Sequence, residues 1–471
     1  MTADVIEALS GYRPEWGRRV ITSAVADSRQ AISGCLFVAL PGENHDGHQF
    51  IGEAFEKGAC LAFVQQDVSE RFQTLDLRGG APGQHPQSLD EPICLLVDDC
   101  LAALQQTARF WRRKLDVKVI GVTGSVGKST TKELITEVLS QRYRVLKNPG
   151  NLNNEIGLPL TMLSLNETHQ RAVLEMGFYV PGEIALLCDL ASPTIGVITN
   201  IGTVHAERAG TQADIARGKA ELIQALPPAP QGVAILNYDD AWVHEMAELT
   251  KARIFYYGLD PAADLWADGV EGLGLDGIRF RLHYQREALH LRIPLIGRHS
   301  VQTALRAASV GLVEGLSWQE IVEGLRSGHA QLRLITTRTE NGALILDDSY
   351  NASPESTLAA LNLLDDLAGR KVAVLGDMLE LGIYETQGHE LVGVRAAQVA
   401  DLLVTVGELG KIIASAARQA GFSPSATLIF SDVDQVIDYL KQNLVKDDVV
   451  LVKGSRGMRM DRIVTALEAR S

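Results

Sequence analysis

The stretch Val119-Ile120-Gly121-Val122-Thr123-Gly124-Ser125-Val126-Gly127-Lys128-Ser129-Thr130 runs from an apolar segment through a glycine-containing turn into Lys-Ser. Backbone N–H groups in such a turn point inward at phosphate oxygens, and the N-terminus of the helix that follows adds positive potential. Lys128 can reach the β- and γ-phosphates, and the Ser129 hydroxyl can ligate Mg²⁺. Gly124, Ser125, Val126, Gly127, Lys128, Ser129 and Thr130 therefore read as a site for ATP or GTP. The full phosphate-loop pattern places a glycine six positions before the lysine, and Val122 stands there. The match is to the shorter Gly-x-x-Gly-Lys-Ser form, and the strand–turn–helix setting gives it weight.

Glu175 closes the apolar run Ala172-Val173-Leu174. The carboxyl ends of strands in open α/β sheets are where ligands bind. A buried carboxylate there needs a cation, and Mg²⁺ takes oxygen ligands. His205, at the end of Thr199-Asn200-Ile201-Gly202-Thr203-Val204-His205, follows another strand and is a second candidate ligand. Lys219, in Ile215-Ala216-Arg217-Gly218-Lys219, could form a plain ion pair or be catalytic, and residue type alone does not decide. Arg333 could clamp a phosphate or carboxylate, or form a surface ion pair.

These residues need elements to hold them. Short apolar runs at Val119–Val122, Ala172–Glu175, Thr194–Thr199 and Val233–Leu236 alternate with helical stretches, which predicts a mostly parallel sheet covered on both faces. The helix after the phosphate loop is expected over Thr131–Leu139. Alternation at 278–283 and 289–293 marks the region 253–296 as antiparallel strands appended to that sheet. Before it, residues 1 to about 105 form a small α/β unit with strands at Leu36–Leu40, Leu61–Val64 and Ile93–Val97. Gln73–Pro92 reads as a surface loop. A helix follows from Cys100 toward Lys114. After about Gln331 a third α/β series begins, with strands at Ala343–Leu346, Val372–Leu375, Leu402–Val406, Leu428–Phe430 and Val449–Val452. It is Rossmann-like but lacks G-x-G-x-x-G after its first strand, so no nicotinamide or flavin is expected. The expected architecture is three α/β domains, at 1–105, 106–330 and 331–471.

Hydrophobic residues are 46% and charged residues 22% of the 471, an ordinary globular balance. The formal charge of −14 opposes a nucleic-acid partner, which needs clustered Lys and Arg. The run Arg112-Arg113-Lys114 is too short to supply them. Five cysteines, Cys35, Cys60, Cys94, Cys100 and Cys188, lack zinc-site or redox spacing, which suits a reducing cytoplasm. Neither a signal segment nor an apolar run long enough to span a membrane is read.

Taken together, T-G-S-V-G-K-S-T, N-P-G-N-L-N-N-E-I-G-L-P-L, L-E-M-G and T-N-I-G-T-V-H resemble the Mur ligases. The later strings G-R-H-S-V, L-D-D-S-Y-N-A-S-P, L-G-D-M-L-E-L-G and V-K-G-S-R-G-M narrow the resemblance. They point to the branch that adds D-alanyl-D-alanine to a UDP-N-acetylmuramoyl-tripeptide. The resemblance runs in order across nearly the whole chain, and Asp-Asp-Ser-Tyr-Asn at 347–351 discriminates best. It implies a small N-terminal UDP-sugar domain, a central P-loop ATPase domain and a C-terminal domain that closes with the amine substrate. It implies that Lys128 and Ser129 grip ATP and Mg²⁺, that Glu175 and His205 hold metal ions (two Mg²⁺ in all), and that Lys219 is the lysine carbamylated in many relatives, able to help bind the second ion. It places uridine-nucleotide contacts at Ser28, Arg29, Asn44, His45 and Asp46. Asn151, Asn153 and Asn154 fall where the family holds peptide and nucleotide phosphates. Asp348, Tyr350 and Asn351 would face the cleft. Ser300 and Thr303 stand where the family usually has asparagines near the adenine.

The resemblance also implies the chemistry. ATP phosphorylates the terminal carboxylate of the tripeptide, and the dipeptide amine displaces phosphate from the acyl phosphate. The enzyme would be cytoplasmic and monomeric. Two rivals differ in sequence. A sister ligase adding the third stem-peptide residue would carry an Asn-Pro-Arg type motif in its last domain, which is missing here. A phosphate-loop ATPase without ligation would carry the longer loop and a metal strand ending in Asp, where this chain has Glu175.

Overall fold

The computed structural model describes residues 1–42, 45–80, 91–327 and 335–469. Asn44 and Arg333, and residues 81–90 of the expected surface loop, lie outside the described residues. The chain forms two compact units, Met1–Gly121 with Tyr143–Gly177 and Glu183–Thr194, and Val122–Arg142 with Phe178–Gly182 and Ile195–Ser471.

In the first unit, β1 (Ala24–Val25), β2 (Leu36–Val38), β3 (Leu61–Val64), β4 (Thr74–Asp76) and β5 (Ile93–Leu96) make a parallel sheet in the order β1-β2-β3-β5-β4. Its central strands are apolar at every position because both faces are covered. Leu36, Val38, Leu61, Phe63 and Leu95 pack on one side, and Phe37, Ala62, Val64, Cys94 and Leu96 on the other. Thr74–Asp76 falls in the stretch read as loop from its Gly, Pro and Asp content. Only its middle residue is buried, so a three-residue edge strand leaves little apolar signal. The helix Cys100–Lys114 starts where Asp99 accepts from the Ala102 N–H. The unit also holds β7 (Val145–Lys147) and β8 (Arg171–Glu175), paired in parallel.

β6 (Lys118–Thr123) leads into the second unit. That unit holds β9 (Ile195–Ile198), β10 (Val233–Asn237), β11 (Arg253–Gly258), β12 (Leu265–Gly272), β13 (Ile278–Tyr284) and β14 (Glu287–Ile293), in the order β14-β13-β12-β11-β10-β9. The expected antiparallel pairing holds for β12–β13–β14, but β11 runs parallel to β10. The antiparallel region is thus shorter than 253–296, because β11 and β12 run parallel and the change of direction comes between β12 and β13.

The same unit contains a six-stranded sheet of β15 (Ile335–Arg338), β16 (Leu344–Asp348), β17 (Arg370–Gly376), β18 (Leu402–Val406), β19 (Thr427–Phe430) and β20 (Asp448–Lys453). Its order is β15-β16-β20-β17-β18-β19, with only β15 antiparallel. Leu346, Ala373, Leu375, Leu403 and Leu451 face one core, and Ile345, Val372, Val374, Val404 and Val450 the other. The architecture is three-domain α/β with mostly parallel sheets. All five cysteines are buried free thiols, and among the described residues no helix is long and apolar enough to cross a membrane.

Candidate active site

β6 ends in a turn that only glycine can make. Gly124 has φ +144°, and a Cβ there would lie 1.8 Å from Thr199 Oγ1. Gly127, at φ 83°, is the left-handed N-cap of the helix Lys128–Leu139. That helix starts three residues earlier than expected because the cap is this glycine. The loop is held from outside by the segment after β9. The Ser125 N–H donates to Asn200 O at 2.9 Å and the Val126 N–H to Asn200 Oδ1 at 2.9 Å, while the Gly202 N–H donates to Ser125 Oγ at 2.8 Å. Asn200 thus fixes the shape of the cradle, a role that only long-range contacts reveal.

Two lysines meet on one peptide oxygen. Lys128 Nζ donates to Gly124 O at 2.8 Å and to Ser125 O at 3.1 Å, and Lys219 Nζ donates to Gly124 O at 3.1 Å. Lys219 projects from the helix Gln212–Gln224, which begins with a reciprocal cap between Thr211 and Asp214. Its ammonium lies 4.5 Å from the Phe178 ring centroid, and Phe178 packs so closely on Gly218 that a Cβ there would be 2.0 Å from the ring. Burial, and then the charge of Lys128, holds the Lys219 pKa well below the usual lysine value. A lysine so placed can be a neutral amine, which is the reactive form toward electrophiles.

His205 caps the short helix Ala206–Ala209 in the left-handed conformation, φ 68°. Its Nδ1 meets Glu380 Oε2 at 2.7 Å, and its ring lies edge-on to Tyr179 with centroids 4.7 Å apart. Burial lowers its pKa against the opposing bond from Glu380, and Lys128 and Lys219 lower it further. Thr203 N–H donates to Glu355 Oε1 at 3.2 Å, so Glu355 and Glu380 both hold the segment that carries His205.

A cavity opens beside the loop, lined by Ser125, Val126, Gly127 and Thr130 and by Asp348, Tyr350 and Asn351 from the end of β16. Lys453, at the end of β20, donates to Asp348 Oδ2 at 2.6 Å and to Asn351 O at 2.9 Å. His299, Ser300 and Thr303 line the same cavity. The hydroxyls of the last two are already engaged, since Ser300 Oγ donates to Ile296 O at 2.7 Å and Thr303 Oγ1 accepts from Arg306 at 2.7 Å. Burial, with Arg306 and Lys453 nearby, depresses the His299 pKa to about 4. Arg306, buried beneath the loop, and Lys453 escaped residue-level reading. For Lys453 the available signal was its place in V-K-G-S-R-G-M.

The first unit holds the remaining predicted residues. Glu175 is buried at the end of β8, and its Oε1 accepts from Asn153 Nδ2 at 2.9 Å. Its Oε2 is enclosed without a hydrogen-bond partner among the described residues. Asn148 ties down the backbone on both sides of the same residue, accepting from Glu175 N–H at 2.9 Å and donating to Glu175 O at 3.0 Å. Asn154 Oδ1 accepts from Gly157 N–H at 2.9 Å, and Asn151 is exposed. Ser28 Oγ donates to Glu53 at 2.8 Å, Arg29 pairs with Asp27 in its own turn, and Asp46 accepts from His48. His45 lies edge-on to Phe50, with centroids 6.4 Å apart. Among the described residues no three His, Cys, Asp or Glu side chains converge as a metal cage. Mg²⁺ takes oxygen ligands. The unpartnered oxygen of Glu175 fits such an ion.

Comparison with known proteins agrees with this layout. The chain matches the Mur ligase family catalytic domain at residues 20–74, the Mur ligase middle domain at 122–311 and the Mur ligase glutamate ligase domain at 332–456. A UDP-N-acetylmuramoyl-tripeptide--D-alanyl-D-alanine ligase of Bacillus subtilis is 36% identical over 458 residues, 96% of this chain and 94% of that protein. The crystal structure of MurF from Acinetobacter baumannii superposes with a TM-score of 0.83 at 31% identity, covering 99% of this chain and 98% of that one. MurF ligase from Thermotoga maritima in complex with ADP gives a TM-score of 0.76 at 27% identity, covering 94% of this chain and 96% of that one. Three domain matches in chain order, on sheets that carry the phosphate loop and its facing strand ends, establish that the chain belongs to the Mur ligase family.

Proposed function

We infer that this chain joins D-alanyl-D-alanine to the terminal carboxylate of a UDP-N-acetylmuramoyl-tripeptide, converting ATP to ADP and phosphate. The observation that carries the reading beyond a bare phosphate loop is the shared cavity. Strand-end residues Asp348, Tyr350 and Asn351 face the loop residues Ser125–Gly127 across it. A cavity with nucleotide on one wall and a second binding surface on the other suits transfer from ATP to an acceptor.

Amide formation from a carboxylate requires a better leaving group than oxide. The tripeptide carboxylate attacks the γ-phosphorus, the bond to the bridging oxygen breaks, and ADP leaves. The dipeptide amine then attacks the acyl carbon, phosphate departs and the amine loses its extra proton. Negative charge shifts among phosphoryl oxygens in both steps, so positioned cations dominate catalysis. Lys128 and the loop N–H groups would neutralise that charge. Lys128 must leave Gly124 O and Ser125 O to do so, and the phosphate would take their place as acceptor. Ser129, Glu175, His205 and a carbamylated Lys219 would hold Mg²⁺. Bound there, Mg²⁺ would neutralise charge on the phosphates. Asp348 would meet the nucleotide, with Asn154 near its phosphates. Tyr350, Asn351, Asn151 and Asn153 would bind the peptide substrates, and Ser28, Arg29, His45 and Asp46 the uridine nucleotide. Domains at 1–105, 106–330 and 331–471, a monomeric state and a cytoplasmic location complete the reading.

The test is phosphate release from ATP and Mg²⁺ with UDP-muramoyl-tripeptide and D-alanyl-D-alanine added separately and together. Release that needs both, with a pentapeptide-mass product, is expected. Release that depends on neither would leave an ATPase and sink the ligase assignment.

A further inference from the structure

Glu380 lies in the loop after β17, in the left-handed conformation at φ 65°. Its carboxylate meets His205 Nδ1 at 2.7 Å, and its own carbonyl accepts from the Glu207 N–H at 3.2 Å. One further bond joins the same stretches, with Tyr384 Oη accepting from the Gln212 N–H at 3.1 Å. Glu355, on the helix Pro354–Asp366, accepts at Oε1 from the Thr203 N–H at 3.2 Å. Gly382 packs so closely that a Cβ there would lie 2.9 Å from the Glu207 nitrogen. The His205 ring is therefore fixed by Glu380 at Nδ1, by Tyr179 against the ring and by its own backbone.

A carboxylate accepts at Nδ1, so the proton of a neutral ring sits there and Nε2 keeps its lone pair. This is the arrangement by which carboxylates orient metal-binding histidines. We propose that Glu380 is a positioning residue, which fixes His205 as the Nδ1–H tautomer and leaves Nε2 as the donor to the metal–nucleotide complex. The metal-binding histidine is then complete only when the loop after β17 is docked on residues 203–212. The assignment rests on the ligase reading for its metal, but the tautomer can be measured without any activity.

Two readouts test it on the full chain. Two-bond ¹H–¹⁵N spectra of histidine-labelled protein, with the His205 signals identified by their loss in His205→Gln, report the tautomer. Mn²⁺ titration by electron paramagnetic resonance in the presence of ADP reports affinity. Wild type is expected to show Nδ1–H, and Glu380→Ala to show a mixture with Nε2–H and Mn²⁺ binding about 10–100-fold weaker. Glu380→Gln retains an oxygen acceptor and is expected to fall between them. Glu380 is 38% exposed on its side chain, and circular dichroism checks that the variants fold. An Nε2–H tautomer in wild type, or unchanged Mn²⁺ affinity in Glu380→Ala, overturns the proposal. If wild type makes no pentapeptide product yet shows the Glu380-dependent tautomer and Mn²⁺ affinity, the positioning role stands and the ligase reading falls.

Discussion

Replacing Lys219 by methionine should end ligation and yet strengthen the fold. Lys219 is 1% exposed, with a single hydrogen bond among the described residues, to Gly124 O at 3.1 Å, and the Phe178 ring 4.5 Å away. A charge-assisted hydrogen bond contributes about 1.5–3 kcal/mol, and a desolvated cation–ring contact about 2 kcal/mol. Against these stand a desolvation penalty of several kcal/mol and the repulsion from Lys128 on the same oxygen. Methionine matches the length, carries no charge and leaves Gly124 O bonded to Lys128 at 2.8 Å. The balance favours methionine by about 1–3 kcal/mol at pH 7, as for other buried ions replaced by apolar groups. The pH dependence follows from linkage. Between the depressed folded pKa and the ordinary value of 10.5, the unfolded chain binds more protons than the folded one, so wild-type stability rises with pH. The advantage of methionine is therefore full below the folded pKa and fades toward pH 10.5. Urea unfolding of both proteins at pH 7 and pH 10, in carbonate-free buffer so that the amine stays unmodified, measures it. A methionine variant less stable than wild type at pH 7, or a gap equal at the two pH values, would refute the reasoning.

Four further outcomes are expected. Lys128→Ala should lose ligation with an unchanged circular dichroism spectrum, and a folded variant with full phosphate release would remove the phosphate-loop assignment. Lys219→Ala should be nearly inactive and regain activity when a small carboxylate is added, and failure of several carboxylates to restore turnover would count against a carbamate. Gly124→Ala should destabilise by about 2–4 kcal/mol, since its Cβ would overlap Thr199 Oγ1 at 1.8 Å and its φ is +144°. A urea midpoint equal to wild type would show that the strand end yields. Glu175→Gln keeps the acceptor for Asn153 but loses charge, so half-maximal phosphate release should need about ten-fold more Mg²⁺, and an unmoved Mg²⁺ titration would free Glu175 from that role.

The phosphate loop was legible because its signal is local. An apolar strand, the turn glycines Gly124 and Gly127 and Lys-Ser lie within a dozen residues, and locally the structure adds that Gly127 caps the helix at Lys128. The end of β8 was equally legible as a strand end, because Ala172-Val173-Leu174 is wholly apolar and Glu175 closes the run. What the sequence hid is pairing at long range. Asn200 grips the loop from 74 residues away, and Glu380 reaches His205 across 175. No periodicity in one segment encodes its partner in another. Both residues sit inside family motifs, so the resemblance marked their neighbourhoods without giving their roles. Short edge strands such as β1 and β4 were lost for a different reason, since two or three residues cannot display a period.

The shared carbonyl of Gly124 bears on the kinetics of encounter. The chain as a whole carries a formal charge of −14, whereas the floor of the cradle brings the nitrogens of two lysines to one oxygen. An incoming polyanion meets repulsion at long range and attraction only at contact. Salt screens the first strongly, because exposed charges act through solvent with a screening length of about 8 Å at physiological ionic strength, and it reaches the enclosed lysines far less. Arrival of nucleotide is therefore the salt-sensitive step, quickened as ionic strength rises, and departure is governed by the lysines within.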